Sequence, residues 1–189
     1  SSTAAALGVA RLATSTSRVM LYCPSRNAPT TIPPSSETIG SRVVQHSAMA
    51  TAARWREAVL TRCAFRFHPE LGSTPVIHDP MRPEPGHEEF FGYHRPRLEG
   101  GDMLVLSPDV VAIGVSERTN ALAVDSLARG LSRMEGGPRW LEVVHLPRRR
   151  AYMHLDTVFT PVDRDAALVF QPVICGDGPH VADTYEIDL

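Results

Sequence analysis

The spacing of apolar residues predicts an amphipathic helix in the first third of the chain. Between Ala50 and Arg66, apolar residues recur every third or fourth position with arginines between them, and they comprise Ala52, Trp55, Val59 and Cys63. This period places them on one face of a helix. Thr51 marks its predicted start, because hydroxyl side chains are favoured helix caps.

A long polar loop and a β-hairpin are predicted next. Residues 68–97 are rich in proline and histidine, which predicts a loop with one short strand at Pro75–His78. Asp102–Leu106 and Val110–Val115 are apolar runs of strand length. The intervening Ser-Pro-Asp at 107–109 suits a tight turn, so these two strands are predicted to pair.

A second helix is predicted from Leu127, Leu131 and Met134, which follow an i, i+4, i+7 pattern. Ser116 or Thr119 is its predicted cap. The Gly-Gly-Pro sequence at 136–138 is predicted to stop it.

The remaining strands complete a mixed α/β fold. Apolar runs predict strands at Trp140–Leu146 and Thr157–Val162, and Thr184–Leu189 alternates like a strand. Within residues 1–40, only Val19–Cys23 resembles a strand core. The order of hairpin, helix, strand and strand differs from an alternating βαβ series with a glycine-rich nucleotide loop.

Composition and charge direct attention to a small-molecule site. The chain has 189 residues, of which 43% are hydrophobic, and this suffices for the core of one domain. A formal net charge of -2 provides no basic field for nucleic acid or an anionic membrane. No apolar run approaches the roughly 20 residues that cross a bilayer, so no membrane partner is expected. Cys23, Cys63 and Cys175 lack metal or redox spacing, so a cytoplasmic location without a disulfide framework or zinc site is expected.

A first candidate site is the Leu98–Asp102 segment, where two glycines separate two carboxylates. Paired glycines permit positive φ and close backbone approach. Such a turn can present Glu99 and Asp102 to a cationic ligand, which makes both candidate binding residues. Alternatively, both only shape the entry to the hairpin.

A second candidate is the pair of His154 and Asp156, which precedes an apolar strand. In an extended segment the two side chains share a face. A carboxylate can fix the orientation and protonation of an imidazole, so the pair suits general acid/base chemistry. A structural or metal-binding role is the alternative from spacing alone.

A third candidate is Arg118 in the Ser116–Asn120 run. An arginine there can clamp a substrate carboxylate, whereas the alternative is a surface ion pair with Glu117 beside a helix cap. The loop histidines have irregular spacings and predict no metal site: His68, His78, His87 and His94.

Three ordered segments together resemble the bacterial arginine deiminases, namely Leu98–Asp102, Ile113–Thr119 and Met153–Phe159. Three motifs in one order are far more specific than any one of them. Three upstream segments look like the family's strand, arginine-rich helix and following strand end: Ile39–Val43, Ala53–Glu57 and Phe67–Pro69. The likeness thus covers residues 39–189 as a catalytic-domain fragment, and residues 1–38 form a divergent proline-rich segment.

The resemblance implies a fold and a reaction. The fold is the pentein-type α/β propeller of guanidine-modifying enzymes, built from mixed hairpin-helix-strand blades, of which this chain would supply an incomplete set. The reaction converts L-arginine and water to L-citrulline and ammonia through attack by a cysteine thiolate, without metal or cofactor.

The resemblance also implies residue roles. His154 would protonate the departing ammonia and activate water, while Asp156 and Glu99 would bind the guanidinium nitrogens. Arg118 and Arg54 would hold the α-carboxylate of the substrate. A cation needs carboxylates at one end of the site, and a carboxylate needs arginine at the other.

Two departures from the family pattern predict that this chain is inactive. A guanidinium-binding aspartate of a Phe-Thr-Arg-Asp stretch is absent, since the corresponding place reads Thr31–Pro34. No segment matches the His-Cys stretch that carries the nucleophile. Cys175 has no neighbouring lysine or arginine to lower its pKa and is not expected to replace it.

Two other functions stay open from the sequence. One is a non-catalytic arginine-binding or interaction module, in which uncovered strand edges would favour self-association. The other is an amidinotransferase or dimethylarginine hydrolase relative, although the Ser-Glu-Arg-Thr run favours the deiminase.

Overall fold

Two β-sheets organise the part of the chain that the computed structural model describes, which comprises residues 7–15, 18–22, 30–32, 55–74, 76, 79, 96–163, 165–176 and 178–189. In chain order the strands are β1 (Leu7–Ser15), β2 (Arg18–Tyr22), β3 (Thr30–Ile32), β4 (Met103–Ser107), β5 (Val110–Val115), β6 (Trp140–His145), β7 (Phe159–Asp163), β8 (Ala166–Phe170) and β9 (Asp183–Asp188). The helices are α1 (Trp55–Phe67), α2 (Ala121–Ser132) and the single-turn α3 (Gln171–Ile174). These elements confirm the predicted mixed α/β class.

The four-stranded sheet has the order β4-β5-β6-β9. As predicted, β4 and β5 form an antiparallel hairpin, with Met103 opposite Ile113. β5 and β6 are parallel and are joined through α2, while β9 is antiparallel to β6. The strands predicted at Trp140–Leu146 and Thr184–Leu189 are therefore confirmed.

β5 is buried on both faces, which explains its continuous apolar sequence. On one face, Val111 and Ile113 belong to a cluster with Leu127 and Leu131 of α2. On the other face, Val110 and Ala112 belong to a second cluster, whose other buried members include Phe159, Ala167, Val169 and Val173. Both faces of β5 are thus packed against other elements, and its carboxyl end leads into the candidate site.

The five-stranded sheet has the order β3-β2-β1-β8-β7 and joins distant parts of the chain. β1 pairs antiparallel with β8, with Leu7 opposite Phe170. β2 confirms the strand predicted at Val19–Cys23, whereas β1, β3 and β8 were not predicted. α1 confirms the first predicted helix, but Cys63 of its predicted apolar face is exposed. The predicted helix start at Thr51 and the short strand at 75–78 lie outside or largely outside the described residues.

α2 begins and ends at places that differ from the prediction. Its cap is Asn120, whose side chain accepts a hydrogen bond from the Ala123 N–H at 3.1 Å, instead of Ser116 or Thr119. The helix ends at Ser132, so Met134 lies beyond it and is 38% exposed. Among the described residues, no helix is long and apolar enough to cross a membrane.

Candidate functional site

Three turns meet at the end of the hairpin where β4 begins and β5 ends. The first is the 3-10 turn Gly100–Asp102, directly after Glu99. The second is the loop between β5 and α2, which contains Arg118. The third is the 3-10 turn Leu155–Thr157, directly after His154. The antiparallel hairpin places the first two turns side by side because one precedes β4 and the other follows β5.

Glu99 lies between His154 and Arg118. Its Oε2 atom is 2.7 Å from Nε2 of His154, and its Oε1 atom accepts a hydrogen bond from Nη1 of Arg118 at 3.3 Å. Glu99 is 3% exposed, while the other two side chains keep about a fifth of their surface exposed, 21% and 20% respectively. The buried carboxylate favours a proton on Nε2 and so fixes the tautomer of an imidazole that solvent can still reach.

Asp156 is a more distant neighbour of His154 than predicted. Its Oδ1 atom lies 3.9 Å from Nδ1 of the imidazole, beyond hydrogen-bond range, and its side chain is 44% exposed. The segment is not extended as the prediction required, because residues 155–157 form a 3-10 turn. Glu99 is the carboxylate that holds His154.

Gly101 provides space at the site instead of an unusual backbone conformation. Neither glycine of the Leu98–Asp102 segment has positive φ, and Gly136 is the glycine with positive φ among the described residues. A Cβ atom at Gly101 would lie 2.6 Å from Oδ2 of Asp156 and 2.9 Å from Nδ1 of His154. The expected close backbone approach is therefore present, and it lets both side chains lie against the turn.

Asp102 lies beneath the site and is 0% exposed. Its Oδ2 atom accepts hydrogen bonds from the hydroxyls of Ser116 at 2.7 Å and Thr119 at 2.6 Å, and its Oδ1 atom accepts one from the Leu155 N–H at 2.9 Å. Burial raises the pKa of the Asp102 carboxyl above its ordinary value, while these three hydrogen bonds partly offset the shift. The sequence suggests Asp102 as a substrate-binding residue. In the structure, however, its buried carboxylate accepts hydrogen bonds from three protein donors.

Two of the three cysteines, Cys63 and Cys175, lie among the described residues. Cys175 is 1% exposed and disulfide-bonded, which contradicts the expectation from the cysteine spacing that the chain lacks disulfides. Cys63 is exposed on α1. Arg54 lies outside the described residues. Ser116 and Thr119 also belong to the site through their bonds to Asp102, although their position in the sequence suggests only helix caps.

The fold and the site together define a mixed α/β protein in which a buried carboxylate is bonded to a histidine and to an arginine. A model of the arginine deiminase family matches residues 14–187, which include the whole cluster. The arginine deiminase of Streptococcus uberis is 37% identical over 152 residues, covering 80% of this chain and 34% of that protein. That of Borrelia duttonii is 41% identical over 118 residues, covering 61% of this chain and 25% of that protein.

The chain therefore belongs to the arginine deiminase family, and the resemblance carried by its three ordered motifs is confirmed. It spans about a third of the length of the curated relatives it matches, 34% and 33% for the proteins of Streptococcus uberis and Streptococcus agalactiae.

Proposed function

We propose that this chain supplies the acid/base and substrate-anchoring part of an arginine deiminase active site. The reaction is hydrolysis of the C–N bond of L-arginine to give L-citrulline and ammonia. The observation that supports this role is the buried Glu99 carboxylate, which is bonded to His154 on one oxygen and to Arg118 on the other. One carboxylate thereby couples a proton carrier to an anion-binding group.

The guanidinium of the substrate is proposed to bind at Glu99 and Asp156. A planar cation with several N–H donors matches carboxylate acceptors, and desolvation by the surrounding protein strengthens each such bond. Glu99 supplies a buried carboxylate and Asp156 a half-exposed one on the opposite side of the His154 ring. This arrangement would place the reacting carbon near the imidazole.

His154 is proposed as the general acid/base. In its protonated form it would give a proton to the departing ammonia, and in its neutral form it would take one from the attacking water. The Glu99 bond to Nε2 holds the ring in one orientation through both steps. No metal or cofactor enters this scheme.

Arg118 is proposed to bind the α-carboxylate of the substrate, with Arg54 as a second group. A guanidinium has five N–H donors, and the observed bond to Glu99 uses one of them. The bond also orients the Arg118 head, because it joins a partly buried arginine to a buried carboxylate.

We further propose that the 189-residue chain has no turnover of its own. The family reaction needs a reactive cysteine thiolate, and neither described cysteine suits this role. Cys175 is buried and disulfide-bonded, Cys63 is an exposed residue of α1, and neither lies in a segment that matches the His-Cys stretch of the family. Without the nucleophile, the chain would bind L-arginine and release it unchanged.

The sheet that carries the site is proposed to be one blade of a pentein-type propeller. Its hairpin, crossover helix and returning strand match the expected hairpin-helix-strand order. A cytoplasmic location and self-association through uncovered surfaces belong to the same proposal. Exposed apolar side chains of α1, Leu60 and Phe67, support the second of these.

A calorimetric titration of the purified chain with L-arginine, paired with an assay for citrulline and ammonia, tests the proposal. We expect binding without turnover, and weaker binding by the His154→Ala variant. Turnover that disappears in His154→Ala would contradict the absence of a nucleophile. Absence of L-arginine binding by the folded wild-type chain would contradict the proposed site.

A further inference from the structure

The Asp102 carboxylate lies at the centre of a hydrogen-bond network that the proposed reaction does not use directly. Its three donors come from the two other turns of the site: Ser116 and Thr119 from the loop after β5, and Leu155 from the turn before β7. Since Asp102 itself ends the first turn, one side chain joins all three turns. Its complete burial leaves it no contact with solvent.

The two hydroxyls also connect Asp102 to the backbone of Arg118 and Glu99, because each accepts a hydrogen bond from one of these residues. A hydroxyl has one O–H to donate. When it donates this hydrogen bond to a carboxylate, its oxygen lone pairs can still accept hydrogen bonds from other groups. The Ser116 oxygen accepts from the Arg118 N–H at 3.0 Å. The Thr119 oxygen accepts from the Glu99 N–H at 3.1 Å.

The third arm of the network is direct. The Leu155 N–H, which donates to Oδ1 of Asp102 at 2.9 Å, belongs to the residue directly after His154. The backbone at each of the three residues of the acid/base and anchoring cluster is therefore within one or two hydrogen bonds of the same carboxylate.

We propose that Asp102 is a positioning residue that sets the mutual distances of Glu99, Arg118 and His154 without contacting the substrate. This inference rests on the proposed function for the roles of those three residues. A carboxylate is required because both oxygens act as acceptors for three donors, and a buried donor without an acceptor is costly. Asparagine offers one carbonyl oxygen, so it cannot reproduce the pattern.

Gly114 of β5 makes room for this carboxylate. A Cβ atom at Gly114 would lie 2.5 Å from Oδ1 of Asp102 and 3.0 Å from Cβ of Leu155. The strand thus lacks a side chain at the point where the anchor and the third turn approach it. This close approach explains how a fully buried carboxylate reaches donors on two other turns.

The test compares Asp102→Asn with the wild-type 189-residue chain, and uses Asp125→Asn as the matched exposed control. Backbone amide chemical shifts of Glu99, Arg118 and Leu155 report the geometry of the network without requiring any ligand. We expect these shifts to change in Asp102→Asn and to stay unchanged in Asp125→Asn. We also expect the dissociation constant for L-arginine to rise by about tenfold or more, as for loss of a hydrogen bond to a charged group.

A second pair of variants keeps the proposal testable if Asp102→Asn does not fold. Thr119→Val removes the hydroxyl between Asp102 and the Glu99 N–H, whereas Thr119→Ser retains it. We expect the valine variant to shift the Glu99 amide and weaken L-arginine binding, and the serine variant to restore both.

Folded variants with unchanged Glu99, Arg118 and Leu155 amides would overturn the positioning role. So would equal effects of Thr119→Val and Thr119→Ser on those amides and on binding. A wild-type chain that binds no L-arginine would instead contradict the proposed function, while the amide shifts would still decide whether Asp102 sets the geometry.

Discussion

Nε2 of His154 and Oε2 of Glu99 lie 2.7 Å apart although the two residues are separated by 55 positions in the chain. The contact forms only when the turn before β7 reaches the turn before β4. The contact between His154 and Glu99 therefore results from tertiary structure and not from either local motif alone. Any change that moves one turn relative to the other should act on this contact first.

Glu99→Gln should weaken binding of L-arginine. The substitution keeps the shape of the side chain and removes its charge, so the guanidinium of the ligand loses a charge-assisted hydrogen bond. We expect affinity to fall by about tenfold to a hundredfold, equivalent to roughly 1.5–3 kcal/mol. Calorimetric titration measures the change, and Glu117→Gln, at an exposed position of the loop after β5, is the control. Equal affinity for both variants would exclude Glu99 from the binding site.

Gly101→Ala should damage the site more than it damages the fold. The added Cβ atom would meet the ends of two side chains, Asp156 and His154, which can rotate away from it. We expect weaker L-arginine binding and a free energy of unfolding within about 1 kcal/mol of the wild type, since surface side chains relax easily. Gly178→Ala, where the added Cβ meets nothing within 4 Å, is the control. Unchanged binding in Gly101→Ala would contradict the packing of the turn against His154.

Gly114→Ala should destabilise the whole fold. Its added Cβ would press on the buried Asp102 carboxylate and on Leu155, neither of which has space to move. We expect a loss of about 1–3 kcal/mol in the free energy of unfolding, as for overpacking of a dense core. Urea denaturation followed by circular dichroism measures this loss. A denaturation midpoint equal to that of the wild type would show that this part of the core yields readily.

Asn120→Ala should lower stability through the loss of two hydrogen bonds. The Asn120 side chain accepts from the Ala123 N–H at the start of α2 and from the Arg97 N–H at 3.0 Å. We expect a loss of about 0.5–2 kcal/mol, the usual effect of removing a helix cap. Asn120→Asp keeps the accepting oxygen and should retain most of the stability. If both variants unfold at the same urea concentration, the cap contributes little.

The raised pKa of Asp102 predicts a specific dependence of stability on pH. Between its ordinary value of 3.8 and the raised value, the folded chain keeps a proton that the unfolded chain has released. The associated stabilisation is complete below pH 3.8 and is lost as pH rises through the folded-state pKa. The free energy of unfolding of the wild type, minus that of Asp102→Asn, should therefore decrease with rising pH in this interval. A difference that increases instead would mean that hydrogen bonds outweigh burial at this carboxyl.

Elements with local signals were predicted well from the sequence. The Ser-Pro-Asp turn lies between two apolar runs of similar length, so the hairpin of β4 and β5 follows from neighbouring residues alone. β8 carries an equally short apolar run but pairs with β1, more than 150 positions earlier in the numbering. Nothing in the local pattern of Ala166–Phe170 indicates that partner, and the same holds for β1.

The cap of α2 shows why the details of the site were not predictable from the sequence. Ser116, Thr119 and Asn120 are all residue types that cap helices, and local preference does not rank them by position. The choice depends on Asp102, which attracts the two hydroxyls and leaves the amide to the helix. The motifs indicate that Glu99, Arg118 and His154 matter. The sequence does not show that Asp102, which it suggests as a substrate-binding residue, is instead buried and bonded to the turns that carry them.

The close approach at Gly114 also has a consequence for how the hairpin aligns during folding. Met103 pairs with Ile113, so one step further along the ladder Asp102 comes to lie opposite Gly114. A slip of one residue between β4 and β5 would bring the side chain of Ile113 or Val115 to that place and displace the carboxylate. A misaligned hairpin would therefore lack the hydrogen bonds that Asp102 accepts from Ser116, Thr119 and Leu155, and only the correct register allows them to form. The register of the hairpin is therefore constrained at the same end of the sheet where Glu99 and His154 meet.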